Sequence, residues 1–165
     1  MAEKFTLPTE MIELPSQGKI YDITNPLSSG TIEMKYMTAR EEDILTNINL
    51  LRQGIAIEKM LQSIIKSPIK YEDLTLGDRN SLLIASIKEK YNLPDGAKVL
   101  VPACTWMTSV APIFQNKLTP IFIDISLDDY CINLEDLSVV KESHPDIKLI
   151  FTTHLLGFHS NVAKL

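Results

Sequence analysis

The chain has 165 residues, 45% hydrophobic and 22% charged, the composition of a globular protein with one domain or two small ones. A net charge of -5 excludes the basic footprint of a nucleic-acid binder, and the acid excess is even: nine Lys/Arg against twelve Asp/Glu in residues 1–80, seven against nine in 81–165. Cys104 and Cys131 make neither a disulfide framework nor a metal spacing and fit a reduced, cytoplasmic setting, and no apolar run approaches the ~20 residues of a membrane span.

Met1-Ala2-Glu3-Lys4 lacks the charged-then-apolar pattern of a secretion signal, so none is expected. Residues 5–37 read as an extended, turn-rich arm interrupted by Pro8, Pro15 and Pro26. A turn at Ser16-Gln17-Gly18 precedes a short strand ending at Tyr21, and Ser28-Ser29-Gly30 is a second turn. Thr31 to Met37 alternates apolar and polar, the mark of a half-buried strand, and a hairpin-like pairing of the two short strands follows. Thr38-Ala39-Arg40-Glu41 is a capping box opening a helix to Arg52 or Gln53, with Ile44, Leu45, Ile48 and Leu51 as its stripe and Gly54 as its stop. A second helix spans Ile55 to Lys66, burying Ile57, Met60, Leu61, Ile64 and Ile65, and Pro68 marks its end. Tyr71 to Leu76 is a linker, and a third helix covers Gly77 to Tyr91.

The next stretch changes grammar. Ala97 to Val101 is an apolar run that reads as a buried strand turning at Pro102, followed by a helix through Phe114. Thr119 to Ile125 is a second strand with Asp124 at its end. Asn133 is placed to cap a helix over Leu134 to Lys141, with Glu135 and Asp136 in its first turn. Ile147 to Thr153 is a third strand running into His154-Leu155-Leu156-Gly157. Strand, helix, strand, helix, strand predicts a parallel sheet, whose ligands gather at the carboxyl ends of the strands.

Three segments carry a family resemblance: Gly96 to Trp106 with its Pro102-Ala103-Cys104-Thr105-Trp106, Pro120-Ile121-Phe122-Ile123-Asp124-Ile125, and Thr153-His154-Leu155-Leu156-Gly157. In this order and spacing, residues 82–165 resemble the DegT-type pyridoxal-phosphate sugar aminotransferases, and the Pro-Ala-Cys-Thr-Trp wording resembles the branch holding the sugar 3-dehydratases. The resemblance implies an α/β fold: a turn-rich arm and helices, then a partial three-layer α/β parallel sheet, an incomplete fold-type I aminotransferase large domain. It implies pyridoxal phosphate as cofactor, a nucleotide-linked keto-sugar as substrate, a homodimer, and a role in deoxy- or amino-sugar and surface-polysaccharide synthesis.

Within that resemblance Trp106 is the residue whose ring stacks on the cofactor, and Thr105 lies beside it in cofactor binding. A Trp after a strand is also a common core residue, and turn geometry alone accounts for Cys104, Thr105 and Thr108. His154 is placed for substrate binding or as a satisfied structural histidine, and Asp124 as a ligand contact or a turn acceptor. His144 and His159 read as surface residues, Asp128-Asp129 as a solvated turn. The three histidines lack metal spacing, and Gly18, Gly30 and Gly54 build no phosphate-binding motif. The family's catalytic lysine or histidine and its pyridine-nitrogen carboxylate come later than His154-Leu155-Leu156-Gly157, Lys164 is too early to be that lysine, and the Gly-Ser-rich phosphate turn expected before Leu82 is absent. No catalytic residue and no turnover by this polypeptide alone are therefore expected.

The N-terminal half resembles a different family. Leu14 to Tyr21, Met37 to Leu45 and Leu74 to Asn80 resemble the small baseplate hub proteins of T-even-type tailed phages, over about residues 6–80. That resemblance implies a structural subunit that assembles with other baseplate proteins in the virion. Two unrelated resemblances predict a composite chain, 1–80 hub-like and 81–165 enzyme-like, joined within the third helix without a polar linker.

Overall fold

A computed structural model describes residues 7–161 and 165. The chain forms two compact units, Met1–Asn92 and Leu93–Leu165. Met1 to Lys4, read as free of a secretion signal, and Lys164 lie outside the described residues.

The first unit opens with β1 (Thr9–Glu13) and β2 (Thr31–Lys35), paired antiparallel from Thr9 opposite Lys35 to Glu13 opposite Thr31. The hairpin-like pairing therefore forms, but its first strand is Thr9–Glu13; residues 19–21, expected as that strand, lie in the intervening turn. Gly18 and Gly30 decide this. Both adopt left-handed φ (+73° and +72°), and their backbones lie against Ser28 and Gln17 respectively, so residues 14–30 close into a tight loop. The Leu14 amide donates to the Gly30 carbonyl at its base (2.8 Å).

The single helix expected from Thr38 to Arg52 is two: α1 (Ala39–Thr46) and α2 (Ile48–Arg52). Asn47 is extended (φ -70°, ψ 112°), and its side chain accepts from the Asn49 and Leu50 amides, capping a fresh helix in place of continuing the old one. Ile48 and Leu51, expected in the stripe, are consequently exposed, while Ile44 and Leu45 pack on the core. Next come α3 (Ala56–Ile64) and α4 (Leu76–Lys90). Ile57 is exposed, against expectation, and Ile65 leaves the helix to bridge Met34 of β2. The expected linker contains a short 3-10 turn, Tyr71–Asp73, and Thr75 caps α4 by accepting from the Asp78 amide. Leu14, Leu27, Ile32, Met60, Leu61, Ile64 and Leu82 form the core of this unit. Leu82 thus packs with residues of the segment expected to be hub-like, and α4 runs unbroken through Asn80.

Two buried carboxylates tie these elements together. Glu41 turns back to accept from the Thr38 amide (2.9 Å) and hydroxyl (2.6 Å), and also takes Lys35 Nζ (2.7 Å) and Ser63 Oγ (2.6 Å). Asp78 accepts from the Ser16 amide (3.1 Å) and the Tyr21 hydroxyl (2.7 Å).

The second unit holds β3 (Lys98–Pro102), α5 (Met107–Gln115), β4 (Thr119–Ile123), α6 (Leu137–Ser143) and β5 (Ile147–Ile150). The strands make a parallel sheet in the order β4-β3-β5. Mixed α/β with a partial parallel sheet is the expected class. Val99, Leu100 and Val101 are all fully buried, because the central strand is covered on both faces. Leu100 meets Ile123, Ile132, Leu137 and Val140 on the α6 face; alternation turns Val99 and Val101 to the other. The helix expected from Leu134 starts only at Leu137. Asn133 accepts from the Glu135 amide (3.1 Å) and donates to the Asp136 carboxylate (2.7 Å), so it stabilises a turn ahead of the helix, and Asp136 itself becomes the N-cap.

Candidate functional site at the carboxyl ends of the strands

The chain leaves β3 toward β4 on one side and returns to β5 on the other, so strand order reverses at β3. Crevices for ligands in open α/β sheets lie at the carboxyl ends of strands at such a reversal. Three loops reach that edge: 103–106 after β3, 124–136 after β4 and 151–161 after β5.

The β3 loop is anchored by the Ala103 amide, which donates to the Ile123 carbonyl (2.8 Å), and it ends at Trp106, the N-cap of α5. The β5 loop is held by the Phe151 amide on the Leu100 carbonyl (2.8 Å). The two loops are stitched together by Thr105 Oγ1 and Thr153 Oγ1, 2.7 Å apart. Thr105 therefore does more than shape its own turn. Thr153 was not singled out from the sequence; its signal is that it follows a strand pairing in parallel with the strand before Thr105. Trp106 is 70% exposed and not packed in a core of the described residues.

His154 is exposed, and its Nδ1 accepts from the Ser160 amide (3.1 Å), while the His159 ring meets it edge-on with centroids 5.3 Å apart. Ser160, also missed in the sequence, is 7% exposed, and its hydroxyl is buried without a partner. Asp124 is exposed and accepts from the Ile125 amide (2.8 Å), a turn contact. His159 is exposed as expected, but His144 is half-buried, with Nδ1 3.4 Å from Lys98 Nζ, near the amino ends of β3 and β5. Lys98 also pairs with Asp146 (2.8 Å), and its ammonium holds that carboxyl below its ordinary range. A recess of about 470 Å³ runs along the open edge of β5, lined by Leu100, Lys141, His144, Ile147, Leu149 and Ile150. It shares no residue with the Trp106–His154 cluster. Among the described residues no group of three His, Cys, Asp or Glu side chains can hold a metal ion, and no helix is long and apolar enough to cross a membrane.

Comparison with known proteins agrees with the C-terminal resemblance. The model of the DegT/DnrJ/EryC1/StrS aminotransferase family matches residues 80–165. An 85-residue stretch is 36% identical to GDP-4-keto-6-deoxy-D-mannose 3-dehydratase of Escherichia coli O55:H7, covering 50% of this chain and 21% of that protein. The protein of the same name from Yersinia pseudotuberculosis is 29% identical over 139 residues, 82% of this chain and 35% of its own. That second alignment is longer than the family match and reaches into the N-terminal unit. The crystal structure of a ColD double variant superposes with a TM-score of 0.49 at 23% identity, covering 78% of this chain and 35% of that one. The chain thus spans between about a fifth and a third of the curated relatives it matches. The baseplate resemblance has no counterpart among these proteins.

Proposed function

Because the chain belongs to the DegT/DnrJ/EryC1/StrS aminotransferase family through residues 80–165, we propose that its C-terminal unit forms one wall of a pyridoxal-phosphate site for a nucleotide-linked keto-sugar. The setting would be deoxy- or amino-sugar and surface-polysaccharide synthesis in a bacterial cytoplasm, by a homodimer. The Escherichia coli and Yersinia relatives are named as 3-dehydratases, which favours that branch over amino transfer.

The observation that carries this reading is the open indole of Trp106, 70% exposed on the loop that Thr105 ties to Thr153. A flat aromatic cofactor gains most from a ring face that is free and rigidly mounted. The residues present fit the ring: Trp106 and Thr105 would hold it, and His154 would meet the sugar. When bound, pyridoxal phosphate supplies an electron sink for charge developing at the substrate carbon. The chain's own residues would orient the ring and the sugar. Among the described residues no lysine lies on the three loops: Lys98 opens β3, Lys117 precedes β4, Lys141 sits in the last turn of α6 and Lys148 lies within β5.

The test is incubation with pyridoxal phosphate, borohydride reduction and peptide mapping. The 165-residue chain is expected to show quenched Trp106 fluorescence but no stoichiometrically labelled lysine. Trp106→Ala should weaken cofactor binding by up to about tenfold, the value of one aromatic stack. Unquenched fluorescence argues against the wall, and full labelling of one lysine argues against inactivity.

A second reading makes the N-terminal unit a structural baseplate subunit in a tailed-phage virion, with its C-terminus replaced. It rests on the resemblance of Leu14 to Tyr21, Met37 to Leu45 and Leu74 to Asn80 alone. Co-purification of residues 1–92 with baseplate proteins is the expected result; its absence, with the Yersinia relative aligned across this unit, favours one enzyme family throughout.

A further inference from the structure

The segment after β5 folds back on itself. Leu156 (φ +52°) and Gly157 (φ +89°) are both left-handed, and the Phe158 amide closes the turn on the Leu155 carbonyl (2.9 Å). This reversal returns the chain so that the Ser160 amide reaches the ring it left six residues earlier, donating to His154 Nδ1 at 3.1 Å. A backbone N–H can only donate, so Nδ1 must carry the lone pair, and in the neutral ring the proton sits on Nε2. Ser160 is 7% exposed, so water competes poorly for its amide, and the edge-on His159 ring braces the imidazole from a second direction. The Ser160 hydroxyl has no partner, which shows that the side chain is not what makes the contact.

We propose that Ser160 is a positioning residue for His154: its buried amide fixes the imidazole as the Nε2–H tautomer, a hydrogen-bond donor toward a ligand oxygen and not a base. The inference rests on the sugar-site reading only for the identity of that oxygen, a hydroxyl, keto or phosphate oxygen of the nucleotide-linked sugar.

The test reads the ring with no ligand present, so its outcome is independent of whether the sugar site is correct. The full 165-residue chain is labelled with 15N-histidine, and His154 is assigned by difference with His154→Gln. With the ring neutral, the expected spectrum has a protonated Nε2 and an unprotonated Nδ1. Ser160→Ala keeps the amide and should leave the tautomer unchanged. Ser160→Pro removes the donor and should lower the Nε2–H to Nδ1–H ratio by about fivefold to tenfold, the worth of one hydrogen bond. A protonated Nδ1 in the native chain, or a tautomer that changes in Ser160→Ala, overturns the proposal. Should the proline variant not fold, the native and alanine spectra still decide it.

Discussion

Replacing Glu41 with alanine is expected to lower the stability of the N-terminal unit by about 3 to 5 kcal/mol. The Glu41 side chain is fully buried and the Lys35 side chain nearly so (0% and 9% exposed), and the pair is 2.7 Å apart. Removing the carboxylate strands a buried ammonium and frees Ser63 Oγ and the Thr38 amide at the same time. An exposed ion pair would cost under about 1 kcal/mol, so the size of the effect separates burial from surface pairing. Replacing both partners, Lys35→Met with Glu41→Leu, should restore most of the loss, since neither charge then remains to be solvated. Hydrogen exchange at Met60, Leu61 and Leu82, all fully buried in the same core, reads this unit without interference from the other. A Glu41→Ala chain with unchanged protection there would show that the network carries no stability.

The same network sets an acid limit. Burial alone would raise the Glu41 carboxyl, but Lys35, Ser63 and Thr38 outweigh it and hold the group at about 2, against 4.5 for an ordinary glutamate. The folded value is the lower one, so its contribution is complete above about 4.5 and drains away as pH falls toward about 2. The difference corresponds to about 3 kcal/mol, and Glu41→Gln should remove that segment of the pH dependence.

Gly18→Ala should cost about 3 kcal/mol and prevent closure of the 14–30 loop. A Cβ at Gly18 would collide with the Ser28 carbonyl oxygen and stand 2.8 Å from the Gly30 amide nitrogen, all backbone that cannot rotate away. Added to this is the left-handed φ of +73°, which charges a side chain about 1 to 2 kcal/mol by itself. Gly54 is the internal control: its φ is +71°, yet a Cβ there meets nothing within 4 Å. Gly54→Ala should therefore lose only the conformational part, about 1 kcal/mol. Equal losses at the two sites, measured by urea unfolding, would show that the close approach of the loop backbones is not what Gly18 provides.

The amino-acid sequence by itself determined the elements whose cause is local. The parallel strands come from the apolar run at Val99-Leu100-Val101, the body of α4 from the helical stretch at Gly77 to Tyr91, and the capping box from Thr38 and Glu41; the Thr75 cap, within what read as a linker, came only from the structure. Trp106 and His154 lie after strands, as their sequence context placed them, while their roles at a site are the proposal made above. The break at Asn47 was locally encoded but outweighed by the apolar spacing around it. What only the tertiary structure decided is where distant residues converge. Glu41 reads as an exposed helix cap until Lys35 and Ser63 close over it. Gly18 and Gly30 look scattered until their backbones meet, and Thr105 looks like a turn residue until Thr153 reaches it. Periodicity and capping act within a turn or two of chain, whereas burial and hydrogen-bond partnership depend on which segments the fold brings together. That convergence is set by the packing of the whole unit, and no stretch of the chain carries it alone.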